Sequence, residues 1–379
     1  MDEIKFLCFH TGNIFRCGSM LFDLKPKTSK VDLFDFDDEF NRLSSLIRDR
    51  LTRLIVVRGL RRTGKTSLIL TTLNELNVPY IFIDVREVVR SRRGLYEALS
   101  RALSDFLKRY YPRRALINMV VRALSSVRGV GINGLEVALN WGSDRPLLSE
   151  ILREFDRVSG DLGIRLVMVI DEAQRLTGPL GVEVWNSIAH GYDFLNNILF
   201  IISGSEMGVL SSILGNPESP LFGRAYAEVT TRGLSREESV RFLRMGFSEL
   251  GTIVNDAELE EAVNRLDGIV GWLTYYGYSR SIGGRDLGSI IEDAVNLARR
   301  EFEGFLNLRV SRRYRPVLKL LASGVREWSA LKRGLEDYEK ALVSDRVLHD
   351  ILMALKRHSI IDDNLEFTDP IVKEAALRI

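Results

Sequence analysis

Continuous apolar runs punctuate the first half of the chain. They fall at residues 54–57 (Leu-Ile-Val-Val), 80–85, 165–170 and 198–202. Between them lie longer stretches whose apolar residues recur every three or four positions. One is 37–50, with Phe40, Leu43, Leu46 and Ile47 on one face; others are 95–110 and 147–158. Strands apolar at every position, alternating with amphipathic helices, predict a parallel sheet covered on both faces, because such strands have no solvent side to carry polar residues. Residues 129–141 alternate glycine with Val, Ile and Leu and predict a hairpin insertion.

After about residue 232 the apolar runs stop. Periodic stretches at 237–250, 256–266 and 286–305 predict three helices of a separate helical domain. Helices follow at 315–322, 328–338 and 344–357, then two short strands at 360–367 around an Asp-Asn turn. Three helices and a hairpin in that order describe a winged helix-turn-helix. The predicted organisation is a leader over 1–31, an α/β core over 32–232, a helical lid over 233–310 and a winged helix over 311–379.

Composition narrows the setting. Hydrophobic residues make up 45% of the chain, and 53 Lys and Arg against 51 Asp and Glu leave +2. No apolar stretch reaches the length of a membrane span, so no membrane partner is expected. Residues 1–20 carry Lys5, His10 and Arg16 and do not read as a signal peptide, which makes a cytoplasmic location the expectation. Two cysteines, Cys8 and Cys17, exclude a disulfide framework, and with His10 they lack a fourth zinc ligand. Charge is uneven: residues 86–128 hold eleven Arg or Lys against three acids, a net of +8. Such a window fits nucleic acid, an acidic partner, or a solvated helical face.

The first apolar strand feeds Gly59-Leu60-Arg61-Arg62-Thr63-Gly64-Lys65-Thr66-Ser67, a G-x-x-x-x-G-K-T loop that opens an apolar helix. This strand–loop–helix context is that of the phosphate-binding P-loop. Gly59 and Gly64 let the backbone turn sharply and approach phosphate, main-chain N–H groups converge on one concavity, and the helix N-terminus adds positive potential. Lys65 is placed to neutralise β- and γ-phosphates and Thr66 to offer a hydroxyl to Mg²⁺. All nine residues of the loop are therefore candidate contacts to a nucleoside triphosphate.

The strand 166–170 ends in Asp171-Glu172, at the carboxyl edge where α/β sheets bind ligands. Asp171 can hold the Mg²⁺ shell, and Glu172 can orient or deprotonate the attacking water. The strand 198–202 runs into Ser203-Gly204-Ser205, where Ser203 and Ser205 are equally placed to sense a γ-phosphate. Arg224, after a loop with Pro217 and Pro220, is a candidate for stabilising transition-state charge or a surface arginine.

These segments together resemble the archaeal STAND-type ATPases, a branch of AAA+-related P-loop NTPases that carry a C-terminal winged helix. The similarity rests on Gly59 to Leu68, Asp171-Glu172-Ala173-Gln174, Ser203-Gly204-Ser205-Glu206 and Pro220-Leu221-Phe222-Gly223-Arg224, and runs from about Leu33 onward. It implies ATP or ADP with Mg²⁺ as ligands, catalytic roles for Lys65 and Glu172, a metal site at Thr66 and Asp171, and Arg224 facing the γ-phosphate. Two positions depart from the family: Phe36 stands where an arginine precedes the glutamate, and Val270 replaces the proline of Gly-x-Pro that packs on adenine. The expectation is an ATP-hydrolysing switch, slow without a protein partner or homo-oligomer. The alternative is an ATP-regulated protein that binds DNA through its winged helix.

Overall fold

A computed structural model of the chain describes residues 20–87, 91–307 and 311–379. Cys8, His10, Cys17 and most of the expected leader lie outside the described residues. In chain order the strands are β1 (Leu54–Arg58), β2 (Tyr80–Asp84), β3 (Val130–Asn133), β4 (Glu136–Leu139), β5 (Leu166–Asp171), β6 (Ile198–Gly204) and β7 (Ala227–Thr230). Five of them form one parallel sheet in the order β2-β5-β6-β1-β7. Because all five run the same way, the ends of β1, β5 and β6 reach one edge together, and the loops after them share it. The register sets Asp84 beside Asp171 and Arg58 beside Gly204. The expected hairpin is present as the antiparallel pair β3–β4.

The core helices are α1 (Asp37–Arg48), α2 (Lys65–Glu75), α3 (Arg92–Tyr110), α4 (Arg114–Ser125), α5 (Leu148–Asp161), α6 (Gly178–Phe194) and α7 (Met207–Gly215). The lid contains four helices rather than three: α8 (Arg236–Glu249), α9 (Asp256–Leu266), α10 (Val270–Gly283) and α11 (Leu287–Asn307). The C-terminal part has α12 (Tyr314–Ala322), α13 (Trp328–Glu339), α14 (Asp345–Arg357) and α15 (Pro370–Leu377). The two wing strands expected at 360–367 reduce to one bridge, Ile361 with Phe367. There Asp362 turns its carboxylate onto the N–H groups of Asn364 and Glu366, which favours a turn over a ladder.

Buried apolar side chains divide into two clusters. The first, from Leu33 to Val229, surrounds the sheet. The second joins the lid and the winged helix in one core, from Leu234 to Ala376, and takes in Leu21 and Phe22. Those two residues correct part of the leader expectation. The Phe22 ring lies between α8 and α10, and a Cβ at Gly246 or Gly277 would come within 2.3 Å of it. α15 packs across α11, α12 and α9, so the chain's last helix fastens the winged helix to the lid.

Candidate nucleotide site

The P-loop conformation requires its glycines. Gly59 has φ +154°, and a Cβ there would lie 2.0 Å from Thr231 Oγ1, whose own hydroxyl meets Thr63 Oγ1 at 2.7 Å. Gly64, at φ +84°, is the N-cap of α2 and has no side chain with which to cap it. The first-turn N–H groups of α2 are thereby left for an anion. Phe36, found in place of the family's arginine, is buried with its ring 3.3 Å from where a Gly64 Cβ would stand.

Lys65 is buried, and its Nζ donates to the carbonyls of Gly59 (3.0 Å) and Leu60 (2.6 Å). Burial pulls its pKa down to about 8, against the attraction of Glu172 and Asp171. Thr66 Oγ1 donates to Asp171 Oδ2 at 2.7 Å, and Ser203 donates to the other oxygen of that carboxylate. Asp171 is fully buried, which raises its pKa while the Ser203 and Thr66 hydrogen bonds oppose the rise. Ser205 Oγ donates to Glu172 Oε2 at 3.2 Å. Glu172 itself sits in the left-handed region (φ 56°, ψ 41°), a conformation that a non-glycine residue holds only when its surroundings demand it. A hydroxyl and a carboxylate side by side are hard oxygen donors of the kind Mg²⁺ takes.

These contacts bring Lys65, Thr66, Asp171, Glu172, Ser203 and Ser205 to one sheet edge. Arg224 is not among them. Its guanidinium pairs with Asp193, donates to the Pro220 carbonyl and lies near the Tyr192 ring. Arg53, just before β1, donates to the carbonyls of Tyr192 and Leu195, so this region flanks the amino ends of the strands. Arg224 therefore lies with this region and apart from the groups gathered at the P-loop edge.

Residues 33–275 match a family model described as an ATPase domain predominantly from Archaea. The chain belongs to that family. Residues 309–366 match the C-terminal winged helix-turn-helix domain of MCM proteins. A Walker-type ATPase of Pyrococcus abyssi superposes with a TM-score of 0.77 at 32% identity, covering 95% of this chain and 100% of that one. The ORC2 protein of Aeropyrum pernix, solved in ADPNP-ADP complexes, has the same fold (TM-score 0.62, 15% identity, 94% of this chain and 95% of that one). No curated protein matches the chain. The protein is an ATPase of this archaeal family with a C-terminal winged helix.

Three contacts of this ATPase were not legible in its sequence. First, Glu301 of α11 reaches the P-loop and pairs with Arg61 (2.7 Å) and Arg62 (2.8 Å). Arg62 also lies 3.9 Å over the Trp272 ring, and its carbonyl accepts from Gly271 N beside Val270. Val270 is half-buried against the lid core at the start of α10. Second, Ser67 accepts from the main-chain N–H of Lys27, so the segment before the core lies against the phosphate loop. Third, the winged helix docks on the loop after β6: His358 Nδ1 meets Glu206 at 2.6 Å, and Ser359 Oγ accepts from Met207 N. The close approach depends on Gly208, where a Cβ would stand 2.6 Å from Arg357 Cα. Leu60, Arg61, Gln174, Ser205, Glu301 and His358 line a common cavity of about 670 Å³.

Part of the basic window is answered by acids from outside it and by aromatic rings. Arg86 pairs with Asp84, Lys108 with Glu136 and Arg128 with Asp144, while Arg109 stacks on Tyr80 and Arg114 on Tyr111. Among the described residues no cluster of metal-ligating side chains was found, and no helix is long and apolar enough to cross a membrane.

Proposed function

We propose that this ATPase is a nucleotide switch of the STAND type, in which ATP and Mg²⁺ bind between the P-loop and the lid and hydrolysis is governed by the docked winged helix. The observation that carries the reading is the common cavity. There the P-loop arginines, the loop after β5, the loop after β6, the lid helix α11 and the winged helix all meet. In this reading Lys65 leaves the Gly59 and Leu60 carbonyls for phosphate, and Thr66 and Asp171 hold the metal, which supplies charge neutralisation on the phosphates. Glu172 takes the proton of the attacking water, while Ser203 and Ser205 hold the carboxylates in place. Arg224, on the far edge of the sheet, reaches a phosphate only from a neighbouring copy. Turnover is then slow in the lone chain. ATP turnover of wild type and Glu172→Gln tests this: the variant is expected to bind ATP and lose at least a hundredfold in rate. Equal rates above background would remove Glu172 from the mechanism.

A second reading, ATP-regulated DNA binding, draws on the winged-helix match and on the solvent-facing side of α14, where Arg346, His349 and Met353 are exposed. The same face carries Asp350, paired with Arg346 and His349, and residues 310–379 total only +2. Phosphate contacts give steep salt dependence. A duplex-binding titration at low salt that shows no binding ends this reading.

A further inference from the structure

Gln174, the chain's lone glutamine, stands two residues after Glu172 in the short 3₁₀ turn that follows β5. Its side chain is almost fully buried. The amide Nε2 donates to Glu172 Oε2 at 2.5 Å and to Ser205 Oγ at 3.2 Å. With the Ser205–Glu172 bond this closes a triangle around one carboxylate oxygen. The carboxylate fixes which way the amide faces, because an amide oxygen against it would repel.

The other half of the amide is the informative one. Gln174 Oε1 is buried and has no hydrogen-bond partner among the described residues. An orphaned buried acceptor costs folding free energy, so this side chain is poorly explained as a stabilising element. Room for it is kept by Gly204, at the end of β6, where a Cβ would lie only 2.4 Å from Oε1. Ordinary packing does not account for a buried amide that satisfies one atom at the expense of the other. Orientation of Glu172, itself held in the left-handed backbone region, does.

We infer that Gln174 is a positioning residue of the ATPase, which orients the Glu172 carboxylate through its amide N–H group in a slot that Gly204 keeps open. The inference rests on the reading of Glu172 as the residue that takes the water's proton. It adds that this carboxylate is aimed by a buried neighbour two residues along the chain.

The test compares steady-state ATP turnover, ATP affinity and thermal unfolding for wild type, Gln174→Leu, Gln174→Glu and Glu172→Gln. Gln174→Leu removes the donor and also the orphaned acceptor. It is expected to lower kcat at least tenfold, leave ATP affinity within about twofold, and leave the unfolding midpoint unchanged or higher. Gln174→Glu keeps the shape but loses the N–H donor at neutral pH. Its introduced carboxyl regains a donor when protonated, so its rate relative to wild type should rise as pH falls. Combining Gln174→Leu with Glu172→Gln should cost nothing beyond Glu172→Gln alone.

The inference is overturned if both Gln174 variants turn over within twofold of wild type while Glu172→Gln is inactive. It is also overturned if Gln174→Leu lowers the midpoint and affinity together and Gln174→Glu shows no recovery at acid pH, the pattern of a merely structural side chain. An active Glu172→Gln strikes at the mechanism instead, and the two failures are told apart by that variant.

Discussion

The two sides of the P-loop are held in opposite ways. Its inner side is fixed by main-chain geometry and buried groups: Gly59 against Thr231, Lys65 on two carbonyls, Thr66 on Asp171. Its outer side is held at a half-open seam, where Glu301 pairs with Arg61 and Arg62 and, nearby, the His358 ring hydrogen-bonds Glu206. Steric and buried contacts tolerate almost no change, whereas partly exposed ion pairs are each worth about 0.2–1 kcal/mol and can be exchanged. Chemistry and coupling therefore reside on different sides of the loop. The inner side must be built before any ligand arrives, and the outer side must be able to let go.

Gly59→Ala should give the largest effect and sharpen the contrast most. The substitution meets an unfavourable φ and a Thr231 oxygen 2.0 Å from the new methyl. Strain and overpacking together cost about 3 kcal/mol or more. Thermal unfolding should fall and ATP affinity should drop by more than a hundredfold. Gly134→Ala is the control, since that glycine also has positive φ (+61°) but nothing within 4 Å of its Cβ position. It should cost about 1 kcal/mol and leave ATP binding unchanged. Equal losses at both sites would mean that the inner side is not specially constrained.

Proton linkage at Lys65 comes next. In the folded chain its pKa is lowered by burial from 10.5 to about 8. Phosphate binds the ammonium form, so above about pH 8 binding must take up a proton, and Kd should rise by up to tenfold per pH unit. Folding has the opposite slope. The folded pKa lies below the unfolded one, so the unfolded chain holds the extra proton between about pH 8 and 10.5, and this group's contribution to stability increases across that window. Calorimetric titrations with ATP in buffers of different ionisation enthalpy would read the proton uptake directly. Flat affinity from pH 7 to 10 would show that Lys65 is fully charged before ATP arrives.

What was legible in the sequence divides along the same line. The buried strands and the P-loop announce themselves, because full burial forces apolar runs and close phosphate approach forces glycine at Gly59 and Gly64. Edge and packing-dependent elements do not. β7 is a four-residue edge strand, Ala-Glu-Val-Thr, with only Val229 buried, so its pattern is too short to stand out. α10 contains Gly271 and Gly277, which read as helix breakers until Phe22 and Arg62 are seen to need the space. α4, α6, α7 and α15 were likewise not predicted, although α4 carries a periodic apolar face at Leu116, Ile117, Val120 and Leu124, while α6 opens with Gly178-Pro179. Asp171, Glu172, Ser203 and Ser205 were placed at the correct edge because parallel strands put their ends together. Arg224 was not, since a loop residue has no periodicity from which to tell one edge of the sheet from the other. The seam contacts join residues 152 to 240 positions apart, and no local pattern encodes them.

Glu301→Ala probes the outer side and should have the smallest effect. It removes two ion pairs whose side chains keep between a fifth and two-fifths of their surface exposed, so each pair is weak and screened. Arg62 keeps its place over the Trp272 ring, a contact worth about 1 kcal/mol, while Arg61 is released. The lid then loses its ion pairs to the P-loop and keeps the Trp272 stack and the Gly271 hydrogen bond. Nucleotide release should quicken by about three- to fivefold in stopped-flow with a fluorescent ATP analogue, with little change in unfolding temperature. Raising the salt to about 1 M should bring wild type to the same rate, because it screens the same pairs. A loss as large as that of Gly59→Ala, or one indifferent to salt, would make the outer side as rigid as the inner and leave the lid without a charge-held release point.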